Sequence, residues 1–337
     1  MTIKISVVMA VYNGEEFVGS SIDSVLAQTF TDFEFIIVND GSTDATLSIL
    51  EDYAERDPRI RIIDQENTGV TLAAIKGCAA ARGEYIARLD ADDCCMPARF
   101  EKQVKLLDNN PALVAAIGDV EFFQDDGKVV NVAKVRGDPR LIRFYMPFCN
   151  HIGGNGHVMF RRDAYLRTGG YDASYRYSQD YDLWTRLLIE GDFGNVPETV
   201  YRYRTGHGNI SNLKKDEQTH HALRTARREY ERVTGEPQSE GTAMALLNFW
   251  WTRPPEGLVD KNYESASRAM RNVAKLFFKQ HPDLRPEQFA IYRDIAARWF
   301  WWSKRVPPVS TTRAIFLKNF GVWGVKAVWA RLRWGAK

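Results

Sequence analysis

Residues 83–93 read Gly-Glu-Tyr-Ile-Ala-Arg-Leu-Asp-Ala-Asp-Asp. Residues 85–89 have the largely apolar pattern of a strand buried on both faces of a sheet, and Asp90, Asp92 and Asp93 follow at once. Three carboxylates so close together repel one another unless a cation or water compensates, and carboxylate oxygens are ligands that Mg²⁺ and Mn²⁺ accept. The stretch therefore predicts either a divalent-metal site at a strand end or an acidic turn that caps the next helix.

The residues before this strand alternate short apolar runs with amphipathic segments. The predicted strands are 3–11, 33–38, 59–63 and 85–89, and the predicted helices between them are 15–28, 43–53 and 69–82. This alternation indicates an α/β fold with a mostly parallel sheet, helices on its faces and right-handed crossovers. Ligands of such sheets bind beyond the carboxyl ends of the strands, so the residues after each strand are the candidate site.

Three other strand ends are polar. Tyr12-Asn13-Gly14-Glu15 follows the first strand, Asn39-Asp40-Gly41-Ser42 the second and Asn67-Thr68-Gly69 the third. A dinucleotide-binding fold has G-x-G-x-x-G after its first strand, and this chain does not. A metal held by Asp90 and Asp92 would neutralise a diphosphate in place of such a loop.

After residue 93 the pattern predicts helices at 97–109 and 180–189, with strands at 113–122, 157–160 and 196–203. From about residue 214 the pattern is helical and irregular, interrupted by Pro254-Pro255 and Pro307-Pro308. We therefore expect a domain over 1–212, made of two halves, 1–110 and 111–212. A helical C-terminal region should cover 213–337, basic and Trp-rich from residue 298.

Bulk properties exclude several classes of protein. The 337 residues are 45% hydrophobic and 26% charged, which argues against global disorder. The four cysteines form no C-x-x-C pair and no zinc-site spacing, so reduced thiols are expected. The sequence predicts neither a signal peptide nor a membrane span. We expect a cytoplasmic protein.

Five stretches together are more specific than any one of them. They are residues 6–13 (SVVMAVYN), 37–44 (IVNDGSTD), 83–93, 169–172 (GGYD) and 180–184 (DYDLW). In this order and spacing the chain resembles a family-2 glycosyltransferase of the GT-A fold, over roughly residues 3–212. The resemblance implies an inverting enzyme that uses a nucleotide-sugar donor, most simply a UDP-sugar, with Mn²⁺ or Mg²⁺. It also implies that residues 1–110 are the nucleotide-binding half of the catalytic domain and residues 111–212 its acceptor half.

The resemblance also implies roles for particular residues. Asp40 would accept a hydrogen bond from the base, Asp90 would contact ribose or metal, and Asp92 would bind the metal between the donor phosphates. Asp180 would be the catalytic base, although a carboxylate at a helix N-terminus is also a common cap. The nucleotide-sugar site would comprise Val11, Tyr12, Asn13, Glu15, Asp40, Asn67, Gly69, Arg88, Asp90, Ala91 and Asp92.

Two positions depart from the family pattern. Gln179 stands where the family commonly has Glu, which should leave Asp180 less basic. The family often has a further metal-binding His after a Tyr-Arg pair, but here His207 lies one position late in Tyr203-Arg204-Thr205-Gly206-His207. His207 is therefore a candidate metal ligand, with a phosphate contact and a solvated loop residue as the alternatives.

The C-terminal region has an unusual composition. From Arg298 onward there are nine Lys or Arg, six Trp and no Asp or Glu, which leaves the rest of the chain at −7 against a total of +2. Two helical stripes are predicted, Phe316-Phe320-Trp323-Ala327-Ala330-Trp334 and Val322-Val325-Trp329-Leu332. Trp and Arg together are typical of helices that lie in a membrane interface. The alternative is that one stripe packs on the catalytic domain and the other on a neighbouring subunit. No recognised nucleic-acid-binding fold accompanies the charge, so no nucleic-acid partner is expected.

The sequence thus predicts a metal-dependent glycosyltransferase acting on a glycan or lipid-linked acceptor of a cell-surface polysaccharide or lipopolysaccharide. The expected location is the inner face of the cell membrane, and a homo-oligomer is compatible with the sequence. One rival is a sugar-nucleotide pyrophosphorylase, which would need a Gly-rich, basic loop after the first strand; residues 11–15 lack one. The other rival is a non-catalytic sugar-binding relative, which Gln179 and the displaced His207 keep open.

Overall fold

The computed structural model describes residues 3–135, 138–206, 214–251, 260–305 and 311–334. The chain divides into two compact units. The first comprises Met1–Arg140 and Ile152–His221, and the second comprises Leu141–His151 and Ala222–Lys337. The short segment Leu141–His151 thus groups with the C-terminal helices, although it lies in the middle of the sequence.

The first unit begins with a parallel half-sheet. Its elements are β1 (Ile5–Val11), α1 (Val18–Leu26), β2 (Phe33–Asp40), α2 (Thr46–Arg56), β3 (Ile60–Gln65), α3 (Val70–Ala79) and β4 (Tyr85–Asp90). β1 pairs in parallel with β2 on one side and β4 on the other, and β2 pairs with β3. β1, β2 and β4 are buried almost throughout, as their apolar runs predict.

The remaining strands extend this sheet with mixed directions. The elements are β5 (Cys94–Cys95), α4 (Arg99–Asp108), β6 (Leu113–Phe123), β7 (Val129–Ala133), α5 (Ile142–Tyr145), β8 (Met159–Arg161), α6 (Arg162–Arg167), α7 (Gln179–Glu190) and β9 (Asp192–Arg204), of which α5 belongs to the second unit. The strand order is β3-β2-β1-β4-β8-β6-β9-β5, with β7 paired to β6. The predicted α/β class with a mostly parallel sheet is confirmed, and the antiparallel pairs lie in its second half.

The core of the first unit fills the space between the sheet and its helices. Val7, Ile22, Phe35, Leu89 and Phe100 are fully buried within it. Burial of one such side chain stabilises a fold by about 1.5–3 kcal/mol. This rigid frame fixes the strand ends at which the polar residues stand.

The second unit contains aromatic-rich helices. They are α8 (Lys215–Thr234), which starts in the first unit, α9 (Glu240–Trp251), α10 (Asp260–Gln280), α11 (Gln288–Ser303) and α12 (Thr311–Trp334), with a 3₁₀ segment at Pro282–Glu287. Trp299 and Phe316 are buried with their ring centroids 5.4 Å apart. Trp323 is also buried and donates from its indole nitrogen to Ser267 Oγ at 3.2 Å. No helix in the described part of the chain is both long and apolar enough to span a bilayer.

Some element boundaries differ from the sequence-based predictions. α1 begins at Val18 rather than near Glu15, because the backbone N–H groups of Gly14 and Glu15 donate to side chains of Thr46 and Asp44. β5 and β7 were not predicted. β5 has two residues, and β7 is largely exposed and has little periodic apolar pattern.

The first predicted stripe of the last helix is only partly buried. Phe316, Trp323, Ala327 and Ala330 are buried, whereas Phe320 is 40% exposed. Phe320 lies at the edge of the buried face, so the predicted stripe was one residue too wide there. The side chains of Leu332 and Trp334 lie outside the described ones.

Candidate active site

The polar strand ends meet where the order of the parallel strands reverses. β1 is followed on one side by β2 and β3, while β4 lies on its other side. Ala10 of β1 is level with Asp90 of β4. Open α/β sheets bind ligands in the crevice at such a switch point. Tyr12 and the acidic cluster therefore occupy the position where this fold places a ligand.

The loop that carries the acidic cluster is held by hydrogen bonds to its backbone carbonyls. Ser21 Oγ donates to the carbonyl of Ala91 at 2.8 Å, and Arg204 Nε donates to the carbonyl of Asp92 at 2.8 Å. The N–H of Asp93 donates to the carbonyl of Asp90 at 3.2 Å. Since all three carbonyls have partners, the loop presents its side chains in a fixed geometry.

Asp93 has a structural role that the sequence did not reveal. It is fully buried and accepts hydrogen bonds from Tyr201 Oη at 2.8 Å and from the N–H of Arg204 at 2.7 Å. The Tyr201 hydroxyl also accepts from the N–H of Asp90 at 3.4 Å. Tyr201 and Arg204 lie on β9, more than a hundred residues away, and no local pattern pointed to them. Asp93 thus joins the acidic loop to β9.

Asp90 and Asp92 remain as the accessible carboxylates. Both are partly exposed, and the nearest cation to Asp90 is Arg88, whose Nη2 lies 3.9 Å from Asp90 Oδ1. Burial raises the pKa of Asp90. Burial and the charge of Asp90 raise the pKa of Asp92 to about 6. Each carboxylate therefore disfavours the charge of the other, and a bound cation would relieve that repulsion.

The donor set fits a cation that is shared with a ligand. Among the described residues no group of three His, Cys, Asp or Glu side chains is placed to hold a metal by itself. Asp93 turns away to β9, so Asp90 and Asp92 are the two carboxylates of this loop that are left to bind a cation. Mg²⁺ and similar ions are commonly held by one or two carboxylates together with substrate phosphates. His207, the third predicted ligand, lies outside the described residues.

Two buried guanidinium groups lie beneath the acidic loop. Arg88 is 1% exposed and donates to the carbonyl of Val8 at 3.2 Å. Arg99 is fully buried and donates to the carbonyls of Arg88 and Val158. The charges of both counteract the raised pKa of Asp90. Because the side chain of Arg88 is covered, its charge acts on Asp90 rather than directly on a ligand in the crevice.

The loops after β1 and β2 are joined by reciprocal hydrogen bonds. Asn13 Oδ1 accepts from the N–H of Thr43 at 2.8 Å, and Ser42 Oγ accepts from the N–H of Asn13 at 2.9 Å. Glu15 Oε2 accepts from the N–H of Ala45 at 2.8 Å. Asn13 has a φ of 50°, a conformation that Asn tolerates better than most residues. These bonds hold Tyr12, which is 53% exposed, at the rim of the crevice.

Asp40 organises the loop after β3. It is nearly buried, and its carboxylate accepts from the N–H groups of Thr68 at 2.9 Å and Gly69 at 2.8 Å, and from Gln65 Nε2 at 2.7 Å. Gly69 has a φ of 92°, which glycine adopts without strain. Beside this loop is an open cavity of about 420 Å³ lined by Asn67 and other strand-end residues.

Asp180 stands in the first turn of α7, behind a strained residue. Ser178 has a φ of 54°, unusual for a residue with a side chain, and its hydroxyl donates to the carbonyl of Gln218 at 3.1 Å. Thr71 Oγ1 on α3 holds the preceding segment through the carbonyl of Tyr175 at 2.7 Å. Asp180 is partly exposed, whereas Asp182, a second candidate base, is buried and paired with Arg186 through its Nε at 3.0 Å.

Tyr171 connects the Asp180 region with the acidic loop. Its hydroxyl donates to Asn155 Oδ1 at 2.6 Å, and its ring lies 5.9 Å from the guanidinium of Arg88. Burial raises its pKa well above the usual value, and the charge of Asp180 adds to that shift. A continuous series of interactions therefore links Asp180 through Tyr171 and Arg88 to Asp90. His157, in the same half of the sheet, is buried and its pKa falls to about 3, so it is neutral.

Comparison with protein families gives one match in this region. Residues 6–168 match the family model described as glycosyl transferase family 2. A Haemophilus influenzae protein described as an uncharacterized glycosyltransferase is 33% identical over 66% of this chain and 72% of its own length. The Escherichia coli O-antigen biosynthesis glycosyltransferase WbnJ is 32% identical over 59% of this chain and 79% of its own.

Two solved structures share the fold at low sequence identity. S. aureus TarS 1–349, in complex with UDP-GlcNAc, aligns with a TM-score of 0.56 at 16% identity, over 99% of this chain and 92% of its own. The mannosyltransferase PcManGT from Pyrobaculum calidifontis, in complex with GDP-Man and Mn²⁺, aligns with a TM-score of 0.55 at 16% identity, over 97% and 87%.

Proposed function

Because the chain belongs to glycosyl transferase family 2, we propose that this glycosyltransferase moves a sugar from a nucleotide-sugar donor, with inversion, to a hydroxyl of a cell-surface glycan or its lipid-linked precursor. The observation that carries the proposal is the difference in hydrogen bonding and exposure among the three carboxylates of the acidic loop. Asp93 and the loop carbonyls are hydrogen-bonded within the protein, while Asp90 and Asp92 keep partly exposed carboxylates at the strand end next to that of β1, where Tyr12 is exposed. The O-antigen relative supports the acceptor class.

The donor would lie across the ends of β1, β2 and β4. Val11 and Tyr12 would line the base pocket, with the exposed ring of Tyr12 as a stacking surface. Asp40 has several internal donors but keeps acceptor capacity on Oδ2, which receives the N–H of Gly69. Asn67 and Gly69 would line the same pocket, and Asn13 and Glu15 would hold its rim. We propose uracil as the base, because the structural neighbour TarS is in complex with UDP-GlcNAc.

Asp90 and Asp92 would hold the divalent cation beside Ala91, and Mn²⁺ or Mg²⁺ suits their oxygen donors. When bound, the cation would offset the charge that develops on the departing diphosphate. The chain's own contribution is preorganisation, because the Ser21 and Arg204 bonds fix the loop before a ligand arrives. The Mn²⁺ in the PcManGT complex supports this assignment.

Asp180 would take the proton from the acceptor hydroxyl as that oxygen attacks the anomeric carbon. Attack opposite the leaving diphosphate inverts the configuration. Asp180 is partly exposed and stands at the start of α7. The segment before it is held by hydrogen bonds from Ser178 Oγ to the carbonyl of Gln218 and from Thr71 Oγ1 to the carbonyl of Tyr175. Asp182 is unsuited to this role because it is buried against Arg186.

Donor turnover tests the proposal directly. The full-length chain would be incubated with a panel of UDP-, GDP- and TDP-sugars and Mn²⁺, and released nucleotide diphosphate would be measured with and without EDTA. We expect turnover of one donor class, loss of turnover in EDTA, and a kcat about 10²–10⁴-fold lower in Asp180→Asn with unchanged donor affinity. Undiminished turnover in Asp180→Asn or in EDTA would refute the base or the metal role respectively. NMR of the product anomer tests inversion.

The outer face of α12 is the proposed membrane contact. Val325 and Trp329 are 71% and 51% exposed, and the exposed side chains Leu317, Phe320 and Val328 continue the apolar surface. Lys326, Arg331 and Arg333 are exposed beside it, and the guanidinium of Arg333 lies 4.8 Å from the Trp329 ring. An apolar helix face flanked by cations matches an interface with anionic phospholipid.

Co-sedimentation with phosphatidylserine-containing vesicles tests this contact. The double substitution Val325→Asp/Trp329→Asp should abolish vesicle binding, because both charges would enter the apolar boundary. Leu166→Asp/Ile189→Asp, at residues of the first unit that are 56% and 59% exposed, is the matched control and should bind as wild type does. If the double variant binds vesicles as wild type does but loses a dimer in sedimentation velocity, the face is a subunit contact instead.

A further inference from the structure

A basic cleft in the second unit has no part in the proposed transfer reaction. It is an open cavity of about 490 Å³ between the start of α9 and one face of α10. Arg268, Arg271 and Lys275 line its α10 side. These residues are three, four and seven positions apart, so they share one face of the helix. Glu236, which is exposed, is the acidic residue of the lining.

The cations on this face form no ion pair with Glu236 or with another acid that the structure describes. Within the described part of the chain, Arg268 and Lys275 make no ion pair, and Arg271 donates to Ser267 Oγ at 2.7 Å. Burial and the neighbouring charge of Arg268 lower the pKa of Arg271. Like charges three and four residues apart repel, so the arrangement is unfavourable without an anion.

The opposite wall is the N-terminus of α9. Ser239 precedes this helix, and its hydroxyl accepts from the N–H of Thr242 at 3.3 Å. The first N–H groups of a helix have no acceptor within the helix and favour negative charge. Both walls of the cleft therefore favour an anion.

Gln238 is the observation that points to a ligand independently. It is 6% exposed and lines the cleft. Neither its Nε2 nor its Oε1 has a hydrogen-bond partner, whereas its backbone carbonyl accepts from Arg227 Nε at 3.0 Å. Buried amide groups are almost always hydrogen-bonded. A ligand that accepts from Nε2 and donates to Oε1 would satisfy both atoms.

We propose that this cleft binds a phosphate- or diphosphate-bearing molecule, with Arg268, Arg271 and Lys275 facing its oxygens and Gln238 bonding to a phosphate oxygen and to an adjacent hydroxyl. Arginine forks match phosphate oxygens in geometry. The volume is within the range of ordinary small-molecule sites and exceeds what a lone phosphate requires. The site is separate from the crevice at Asp90 and Asp92 and does not depend on a divalent cation.

Isothermal titration calorimetry of the full-length chain in EDTA tests the site, with inorganic phosphate, pyrophosphate and glycerol 3-phosphate as probes. EDTA removes metal-dependent binding at the acidic loop, and Asp92→Ala should titrate as wild type does. Arg268→Gln/Arg271→Gln should weaken pyrophosphate binding by at least about tenfold. Lys279→Gln, which removes one positive charge from α10 outside the cleft, should have no effect. Equal affinity in the double variant and wild type would overturn the proposal.

Gln238→Leu separates a ligand-binding amide from a merely buried one. Removal of two unpartnered polar atoms at similar volume should raise the Tm of the ligand-free protein. It should also lower affinity for glycerol 3-phosphate, whose hydroxyls can bond to the amide, more than affinity for inorganic phosphate. A higher Tm with unchanged affinity for every probe would contradict the role of Gln238. Vesicles of phosphatidylcholine with and without phosphatidic acid distinguish a lipid phosphate from a soluble one, by whether they compete with pyrophosphate.

Discussion

At the residue scale, the three carboxylates of the acidic loop differ in their partners. Asp93 accepts from Tyr201 and from the backbone of Arg204, whereas Asp92 has no ion pair within the described part of the chain. Of these two adjacent aspartates, Asp93 has the structural partners, and Asp92 is the one assigned to the proposed cation site. Matched substitutions at the two positions should have opposite consequences.

Asp92→Ala should not lower the free energy of unfolding. It should lower kcat/KM by about 10²–10³-fold, because a proposed ligand of the charge-stabilising cation is lost. Asp93→Ala should lower the free energy of unfolding by about 2–4 kcal/mol, because it leaves the Tyr201 hydroxyl and the Arg204 N–H buried without a partner. Urea unfolding and donor turnover measure the two effects. Asp93→Asn, which retains an acceptor, is the control and should recover most of the stability. A folded, stable Asp93→Ala protein would contradict this assignment.

The raised pKa of Asp92 gives a pH dependence with a definite sign. Its pKa is about 6 in the folded chain and about 3.9 when unfolded, so the folded state binds the proton more tightly. Ionisation therefore destabilises the metal-free fold as pH rises from about 4 to 6, by up to about 3 kcal/mol. In EDTA, the free energy of unfolding of Asp92→Asn should exceed that of wild type. The difference should grow as pH rises from 4.5 to about 6 and then stay constant up to pH 7.5.

Thermal melts of both proteins across this pH range measure that difference. Mn²⁺ at pH 7.5 should stabilise wild type and not Asp92→Asn, because the cation compensates the ionised carboxylates. A stability difference that does not change with pH would show that Asp92 ionises with an ordinary pKa.

The sequence could predict which residue types meet at the site but not how each is used. Asp90 and Asp92 follow an apolar strand, and that local pattern is enough to place them at the sheet edge. The role of Asp93 depends on Tyr201 and Arg204, which approach only when β9 joins the sheet. Arg88 shows the same limit, since its position within a strand does not reveal that it is fully covered.

At the element scale, the segment before β8 supports the acidic loop through Tyr201. A Cβ on Gly156 would lie 1.9 Å from the Tyr201 ring, whereas a Cβ on Gly154 meets nothing within 4 Å. Tyr201 in turn holds Asp93. The absence of a side chain at position 156 is therefore a requirement of the site, although Gly156 is remote from it in sequence.

Gly156→Ala should displace Tyr201, lower the free energy of unfolding by about 1–3 kcal/mol and weaken metal-dependent donor binding. Gly154→Ala, two residues away in the same segment, should change neither. Calorimetric donor titration and urea unfolding of the pair provide the measurement. Equal donor affinity in both variants would mean that the Tyr201 ring does not position the acidic loop.

The elements with strong periodic patterns were the predictable ones. β1, β2 and β4 are largely apolar because both faces are covered, and their bounds agree with the sequence within a few residues. α1 starts late because the backbone N–H groups of residues 13–15 donate to the side chains of Ser42, Thr46 and Asp44, which holds residues 13–15 outside the helix. β5 depends on pairing with β9 alone, so its two residues carry no signal of their own.

At the scale of the whole molecule, charge is unevenly distributed. All nine cations from Arg298 onward stand without an acidic residue among them. The buried face of α12, with Phe316, Trp323, Ala327 and Ala330, accounts for the fold of this region but not for the exposed apolar residues beside the cations. Membrane attraction should therefore have two separable components, one electrostatic and one apolar.

The electrostatic component predicts a salt-dependent vesicle affinity. Each basic residue near an anionic surface contributes about 1 kcal/mol, so Lys326→Gln/Arg331→Gln/Arg333→Gln should lower binding to phosphatidylserine vesicles about 100-fold at low salt. At 0.5 M salt the variant and wild type should converge, because the charges are screened. Arg56→Gln/Lys76→Gln/Lys105→Gln removes the same charge from exposed positions of the first unit and should bind as wild type does. If both triple variants lost the same affinity, net charge rather than the α12 surface would be responsible.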